Sequence, residues 1–406
     1  MSVVIQKYGG SSLADALKIK NVAHRIIKAR ERGDRVVVVA SAMGDTTDEL
    51  IKLAHRITDQ PDKREMDSLL STGELVSCAL LAIALKSMGY PAVSLSGAQA
   101  GIITEKTHGA ARILRVDPAR MQRELEAGHI VIVAGFQGIT DEATDVTTLG
   151  RGGSNTTAVA VAAALGARVC EMYTDVEGVF SADPRIVPEA VKLKEIGFEE
   201  MLELATYGSN VLHNRAVELA ELYNIPIMVA SSFVEAPGTL IHGGIPMEVR
   251  NKVRGIAQDL NVAQITVVGV PDKPGVAAAL FEPLAEAGVS VDTIVQTASI
   301  GRAAELTFTV AKNDMKRAMD IIEPVAKSLG AKRVTADASM AKVSVVGTGM
   351  QNTPGYAAKM FRVLSEKGIN IELITTSEIR ITVVIAADRV NEAVRALHRG
   401  FELEKA

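Results

Sequence analysis

The stretch Thr148-Leu149-Gly150-Arg151-Gly152-Gly153-Ser154-Asn155-Thr156-Thr157-Ala158 decides how the rest of the chain is read. It follows an apolar run, His129 to Gly135, and opens into Ala158 to Leu165, which holds only Ala, Val and Leu and reads as a buried helix. Three glycines beside an arginine, with hydroxyl residues at the mouth of a helix, let backbone N–H groups face an anion. Arg151 adds a planar fork that can hold a carboxylate or phosphate at two points. The same residues also suit a tight glycine turn with a Ser or Thr N-cap, so the surrounding chain has to arbitrate.

Upstream, Val3 to Ile5 is a β-branched run that ends in Lys7-Tyr8-Gly9-Gly10-Ser11-Ser12, followed by apolar residues at helical spacing (Leu17, Val22, Ile26, Ile27). This is strand, glycine turn, helix. It differs from GxxxxGK[ST] because the lysine precedes the glycines. Gly9 and Gly10 let the backbone approach a phosphate, and Lys7 can place a positive charge on oxygens that gather negative charge during phosphoryl transfer. A lysine at a strand end pointing into water is the alternative.

Val36 to Ala40 reads as a strand covered on both faces. It leads into Ser41-Ala42-Met43-Gly44-Asp45-Thr46-Thr47, at the usual ligand position of open α/β sheets. Ser71-Thr72-Gly73-Glu74 precedes an expected helix, Leu75 to Leu85, where Glu74 suits a first-turn acid. Ala92 to Leu95 and Ile130 to Ala134 read as strands, the second feeding the glycine stretch. Arg168 to Tyr173 is another, ending in the loop Thr174 to Arg185, which can hold a nucleotide's ribose and phosphates or serve as a capped surface loop. Ile227 to Val229 is a last strand before Pro237-Gly238-Thr239. The alternation across residues 1–245 predicts an α/β domain with a mostly parallel sheet and helices on both faces.

The second half repeats itself. Ile265-Thr-Val-Val-Gly269 and Val343-Ser-Val-Val-Gly347 are near copies offset by 78, and Pro274-Gly275, Phe281, Leu284 and Gly288 match Pro354-Gly355, Phe361, Leu364 and Gly368 at a constant offset of 80. Constant register means two copies of one module. Each copy reads as βαββαβ with its last strand unclear, which predicts an antiparallel sheet with helices on one face. The expected boundaries are a domain over 1–245, a linker over 246–262, and modules over 263–338 and 339–406. Neither module carries a nucleophile or acid/base pair beside a glycine cradle, so sensing is expected of them, not catalysis. Pro-Gly opening a helix suits a carboxylate, and Asp272 and Asp292 suit an ammonium, so a small amino acid is the expected ligand; dimerisation through sheet edges is the competing role.

Composition narrows the classes. A 406-residue chain with 48% hydrophobic residues builds two or three domains with real cores. A net charge of −4, 3% aromatic residues and no Trp give no electrostatic or stacking case for nucleic acid. Cys78 and Cys170 sit in apolar surroundings without CxxC spacing, so small buried thiols are expected. With no segment of 18 uninterrupted apolar residues and no basic region before an apolar run at Met1 to Lys7, the expectation is a soluble cytoplasmic protein that engages no membrane.

Taken together these residues resemble the aspartate kinases, amino-acid kinases with two C-terminal ACT domains. Carriers are Lys7 to Ser12, Val39 to Met43, Ser71 to Glu74, Gly150 to Ser154, Tyr173 to Val179, Ala182-Asp183-Pro184-Arg185 and Thr376-Ser377-Glu378-Ile379-Arg380. The resemblance covers nearly the whole chain. It implies ATP-dependent phosphorylation of the β-carboxylate of L-aspartate to 4-phospho-L-aspartate, the first step toward lysine, threonine and methionine. Lys7, Arg151 and Asn155 would be catalytic. Lys7, Gly9, Gly10, Ser11, Ser41, Thr174, Asp175, Phe180, Asp183, Arg185 and Asn210 would bind ATP. Ser41, Thr47, Glu74, Arg151, Gly152 and Ser154 would hold aspartate, with Glu74 on the ammonium. Mg²⁺ would bridge phosphate oxygens. Lysine and/or threonine would act through Asp272, Pro274, Gly275, Ala277, Asp292, Gln296, Tyr356, Ala357, Asn370, Ile371 and Ser377. A homodimer is the minimum expected assembly, and Met247 lies where some relatives begin a separate regulatory subunit.

The chain departs from the family pattern at three places. Asn155 stands where the pattern has Asp, Asn210 where it has Lys or Arg, and His213 is followed by Asn214 rather than Pro. Thr297-Ala298-Ser299-Ile300-Gly301 also departs from the usual Gln-Asn pattern after Gln296. These departures motivate an alternative, a catalytically weakened regulatory or nucleotide-binding paralogue. A second alternative is a kinase of the same fold acting on glutamate, carbamate or UMP, against which the repeat and Ser71 to Glu74 both count.

Overall fold

The computed structural model describes residues 2–209, 211–244, 253–297, 303–351 and 353–405. The chain divides into two compact units. The first comprises Met1–Val179, Lys192–Thr206 and Asn210–Pro246; the second comprises Phe180–Val191, Tyr207–Ser209 and Met247–Ala406.

In the first unit the order is β1 (Val3–Tyr8), α1 (Ala16–Glu31), β2 (Arg35–Ala40), α2 (Thr46–Ile57), α3 (Lys63–Ser87), β3 (Ala92–Leu95), β4 (Ile102–Thr104), β5 (Ile113–Val116), α4 (Ala119–Glu126) and β6 (Ile130–Ala134). There follow β7 (Gln137–Thr140), β8 (Val146–Thr148), α5 (Gly153–Leu165), β9 (Val169–Thr174), β10 (Glu195–Gly197), α6 (Phe198–Thr206), α7 (Asn214–Leu222), β11 (Ile227–Ser231) and β12 (Thr239–His242). Eight strands form one sheet in the order β10-β12-β11-β9-β1-β2-β6-β3, parallel throughout except for the β11–β12 pair. The β-branched runs take interior positions in it because they suit strands covered on both faces; every residue of β6, and Val36 to Ala40 of β2, is buried. The expected mostly parallel sheet is therefore present. A second, four-stranded sheet, β5-β4-β7-β8, stands beside it. Its β7–β8 hairpin comes between β6 and the glycine stretch, so the strand does not feed the glycines directly.

Helix starts follow from side-chain caps. Asp15 accepts from Lys18 N ahead of α1, and Asp62 accepts from Arg64 N and Glu65 N ahead of α3. The second cap moves a boundary: the helix expected at Leu75 begins at Lys63, so Glu74 lies in the interior of a 25-residue helix and is not a first-turn acid. Propensity explains this, since Lys, Arg, Glu, Met and Leu after Asp62 are good helix formers. By length and composition α3 could cross a membrane, but its most apolar window is 56% buried within the protein. Leu81 and Leu85 of α3 pack with Val22 and Ile26 of α1 and Ile132 of β6. Cys78 and Cys170 are free, buried thiols, as expected.

The second unit holds β13 (Gly255–Asp259), β14 (Ala263–Pro271), α8 (Val276–Glu286), β15 (Val291–Gln296), β16 (Ala303–Val310), α9 (Met315–Ser328), β17 (Arg333–Asp337), β18 (Met340–Val346), α10 (Tyr356–Glu366), β19 (Leu373–Thr376), β20 (Arg380–Ala386) and α11 (Val390–Gly400). The sheets are β15-β16-β14-β17 and β13-β18-β20-β19, each antiparallel. The unclear last strand is β17 in the first module. In the second it is β13, from the segment expected to be linker, which pairs Gly255 to Val346 and Asp259 to Lys342. A strand supplied from ahead of the first module leaves no repeat signal downstream, which is why the sequence pattern omits it. The matched positions do the same work in both copies: Gly275 and Gly355 cap α8 and α10 with φ +91° and +109°, and Leu284 and Leu364 are fully buried.

A further departure concerns Phe180–Val191, expected within the first domain. It belongs to the second unit, where Ala182 and Val187 join a core with Val343, Met360, Leu364 and Leu397. Ser181 Oγ lies 2.9 Å from His398 Nε2 of α11, and Ile256 N of β13 donates to Ser181 O at 2.8 Å.

Candidate active site

The carboxyl ends of β1, β2 and β6 and the glycine stretch border one cavity of about 770 Å³ in the first unit. Lys7, Gly10, Ser41, Thr47, Glu74, Arg151, Gly152, Ser154 and Asn155 all line it. The two cations that the sequence places 144 positions apart thus share one space.

Lys7 sits in register with Val39 of β2 and Met172 of β9, at the sheet's centre. Burial is the main influence on its ammonium, pulling it down from 10.5 to about 8, partly offset by Cys170 and Asp175. Gly9 lies against the lysine: a Cβ there would stand in van der Waals contact with Lys7 Nζ, at 3.5 Å. Gly10 is held tighter, with Ala42 O 2.7 Å and Gly44 O 2.9 Å from where a Cβ would stand, so the first turn packs on the loop after β2.

Glu74 reaches the cavity because Gly73 lets α3 approach that loop; a Gly73 Cβ would fall 2.9 Å from Ala42 Cβ. Glu74 Oε1 accepts from Ala42 N at 3.1 Å, while Oε2 is buried with no partner among the described residues. Burial raises the carboxyl from 4.5 to about 7, against the lowering effect of its backbone hydrogen bonds. A buried, half-satisfied carboxylate facing a cavity is built to receive a cationic group.

Of the two readings of the glycine stretch, the N-cap one fails: α5 is capped by Gly152 at φ +71°, with no side-chain cap bond. Gly152 is also steric, since a Cβ would stand 2.2 Å from His213 Cγ. Arg215 ties the stretch down, Nη1 donating to Leu149 O at 2.7 Å and Nη2 to Ala111 O at 3.1 Å. Burial, then the Arg215 charge, hold His213 below its ordinary value.

Asp67, about two turns before Glu74 on α3, is 1% exposed. It accepts from His108 Nδ1 at 2.7 Å, from Gly109 N at 3.1 Å and from Thr148 Oγ1 at 2.5 Å. One carboxylate thereby joins α3, the 108–109 turn and the start of the glycine stretch, and Asp67 and His108 both line the cavity. Sequence reasoning missed Asp67, His108 and Arg215 as site-builders, each an isolated polar residue without a motif, and read His213 only as part of the family pattern; the fold alone brings them together.

The remaining expected nucleotide residues divide. Thr174 and Asp175 lie at the end of β9 beside β1, Thr174 Oγ1 donating to Asp175 at 2.9 Å, and Ser11 is exposed in the turn after β1. Phe180, Asp183 and Arg185 belong to the second unit, where Arg185 Nη2 pairs with Asp183 at 2.8 Å. Asn210 and Met247 lie outside the described residues, as do Ala298 to Gly301.

Within the second unit, Asp272, Pro274, Gly275 and Ala277 surround the start of α8, and Asp292 and Gln296 are on β15. Asp292 already meets an ammonium, that of the buried Lys342, which also donates to Thr309 Oγ1 at 2.9 Å. Tyr356 stacks on Phe401 at 6.2 Å, Ala357 and Ile371 pack against the second module's core, Asn370 donates to Glu372 at 2.7 Å, and Ser377 N donates to Arg380 O at 2.9 Å.

Known proteins share this arrangement. Residues 2–231 match the amino acid kinase family, and residues 265–324 and 343–401 match the ACT domain. The aspartokinase of Mycolicibacterium smegmatis is 50% identical over 408 residues, spanning 99% of this chain and 97% of its own. The chain belongs to the aspartokinases. It is 49% identical to the aspartokinase of Thermus thermophilus, each chain covered in full. Among solved structures, E. coli aspartokinase III in complex with aspartate and ADP (R-state) superposes with a TM-score of 0.83 at 25% identity, over 98% of this chain and 100% of the other. The same enzyme in complex with lysine and aspartate (T-state) gives 0.75 at 26%, over 98% and 99%. The sequence-level identification as an aspartate kinase enzyme with C-terminal ACT domains therefore holds.

Proposed function

We propose that the chain transfers the γ-phosphoryl group of ATP to the β-carboxylate of L-aspartate, giving 4-phospho-L-aspartate and ADP. The observation that carries this is the single cavity in which Lys7, Glu74 and Arg151 meet. A β-carboxylate oxygen attacks the γ-phosphorus, the bond to the bridging oxygen breaks, and ADP leaves with that electron pair. No general base is needed, because the attacking carboxylate is ionised at neutral pH. Lys7 neutralises the transferring group over Gly9, Gly10 and Ser11, Arg151 clamps a carboxylate, Glu74 pairs with the ammonium through its open Oε2, and Ser41, Thr47, Gly152 and Ser154 complete the aspartate pocket. The E. coli complex with aspartate and ADP supports both substrates.

Mg²⁺ enters as part of the nucleotide. No group of three or more His, Cys, Asp or Glu is placed to hold a metal among the described residues, and an ion carried on phosphate oxygens needs only one or two carboxylates, for which Asp175 near Lys7 is suited. Thr174, Asp175, Phe180, Asp183 and Arg185 bind the nucleotide. Regulation by lysine and/or threonine falls to the ACT pair, supported by the lysine complex of E. coli aspartokinase III, and a homodimer is the smallest assembly.

The test is ADP release with aspartate present and absent, with hydroxylamine trapping the acyl phosphate, then titration of lysine and threonine singly and together. Aspartate-dependent ADP release with trapped product is expected. Nucleotide binding without aspartate-dependent turnover would instead establish the weakened paralogue that Asn155 suggests.

A further inference from the structure

An aspartate molecule brings two carboxylates and one ammonium into the cavity. Glu74 answers the ammonium and Arg151 one carboxylate, while Ser41, Thr47, Gly152 and Ser154, which complete the pocket, bring no charge to the second carboxylate. Lys63, also in the lining, is exposed at the first position of α3 with no side-chain partner among the described residues.

We propose that His108 binds the second carboxylate of the acidic substrate, and that Asp67 is the positioning residue that makes it able to. This rests on the aspartate kinase reading above and adds a residue to it. Asp67 is buried to 1% exposure, and its oxygens take His108 Nδ1, Gly109 N and Thr148 Oγ1. A carboxylate removed from water this far needs an opposite charge, and His108 is the basic side chain hydrogen-bonded to it. An ionised carboxylate only accepts, so the Nδ1 proton points to Asp67. The other nitrogen, Nε2, has no partner among the described residues, and the ring, 21% exposed, is in the cavity lining. A neutral ring that gives its Nδ1 proton to Asp67 has only a lone pair at Nε2, so the form that meets the substrate is the imidazolium, with an N–H on each nitrogen and a carboxylate at each.

Position adds to the case. A Cβ on Gly150 would lie 3.2 Å from Gly109 O, so the 108–109 turn packs directly on the glycine stretch that carries Arg151. Thr148, bonded to the same Asp67 carboxylate, begins that stretch. His108 and Arg151 thus lie on turns packed against each other in the lining of one cavity, where a dicarboxylate can engage both.

Two variants separate binding from scaffolding. His108→Asn keeps a group near the Nδ1 position for Asp67 but withdraws the reach of Nε2; His108→Gln restores an amide donor close to Nε2. Steady-state kinetics with both substrates varied, and calorimetric titration of aspartate into the ADP-bound protein, give the readout. His108→Asn should raise KM and Kd for aspartate roughly 10–100-fold, the range for a hydrogen bond to a charged group, with KM for ATP within about twofold of wild type. His108→Gln should recover part of the loss. Asp67→Asn should weaken aspartate in the same direction, with Arg151 still in place. If wild type turns over aspartate and both His108 variants keep its KM, the inference falls and the kinase reading stands. If both variants lower the melting midpoint and weaken aspartate and ATP alike, His108 is scaffold only and the inference falls. If wild type shows no aspartate-dependent turnover, the kinase reading is what has failed.

Discussion

Replacing Glu74 by Gln tests the site through two opposed effects of one charge. In the ligand-free protein the carboxyl is buried at 3% exposure with Oε2 unpartnered, and burial lifts it from 4.5 to about 7. The native state then holds a proton that the unfolded chain releases, so the contribution of Glu74 to stability is full below pH 4.5 and is lost as pH rises through 7. The interval corresponds to about 3 kcal/mol at 1.36 kcal/mol per pH unit. Gln cannot ionise and escapes this loss. Relative to wild type, Glu74→Gln should gain about 3 kcal/mol of ligand-free stability between pH 4.5 and pH 8, roughly 6–12 °C in the melting midpoint of a unit this size. The same variant should bind aspartate more weakly by roughly 10–100-fold, because the ammonium loses a charged partner. Thermal melts of both proteins at matched pH from 4.5 to 8, with and without aspartate, give both numbers. A difference between the two proteins that does not change with pH would refute the buried-charge argument. Unaltered aspartate affinity would remove Glu74 from the pocket.

Three other outcomes follow from the same geometry. With Lys7 near 8 in the free enzyme, kcat/KM for ATP should fall as pH rises through about 8, and Lys7→Arg should stay level to higher pH at a lower rate; a level wild-type profile up to pH 10 would exclude the lysine. Asn155, in the cavity wall with Lys7, stands where the family pattern has an acid, so Asn155→Asp should raise kcat roughly tenfold, about 1.4 kcal/mol of barrier; an unchanged or lower rate in a coupled ADP assay would contradict this. Ser181→Ala removes both the contact to His398 and the bond from Val191 N to Ser181 Oγ at 3.0 Å. His398 and Val191 lie with Ser181 in the second unit, so the variant should destabilise that unit by about 1–3 kcal/mol; an unchanged melting midpoint would contradict the anchoring.

The parts of the fold legible in the sequence were those carried by local patterns. Val36 to Ala40 and Ile130 to Ala134 announce buried interior strands because β-branched runs have few other places to go. The offset of 80 announces twin modules, and the structure gives the matched glycines matching left-handed caps. At the site, Lys7 and Arg151 were legible as candidates, each beside glycines at an element's end, but each turn alone also suited a plain structural role, and only the motifs taken together decided between the two. Glu74 was legible as a residue but not as a charge: its burial depends on α3 starting at Asp62 and on Gly73 touching Ala42, a contact between segments some thirty residues apart. Asp67, His108 and Arg215 gave no signal, since each works by joining turns that only tertiary structure makes neighbours. β13 and Phe180–Val191 were hidden for the same reason. Both complete the second module from earlier in the chain, β13 by pairing with β18 and Ala182 and Val187 by filling its core. A module closed by segments outside its own repeat looks incomplete to any reading that runs along the sequence. The missing strand was therefore a sign that the second copy takes its last strand from elsewhere, and the segment that follows the β9 loop is bound into that same core.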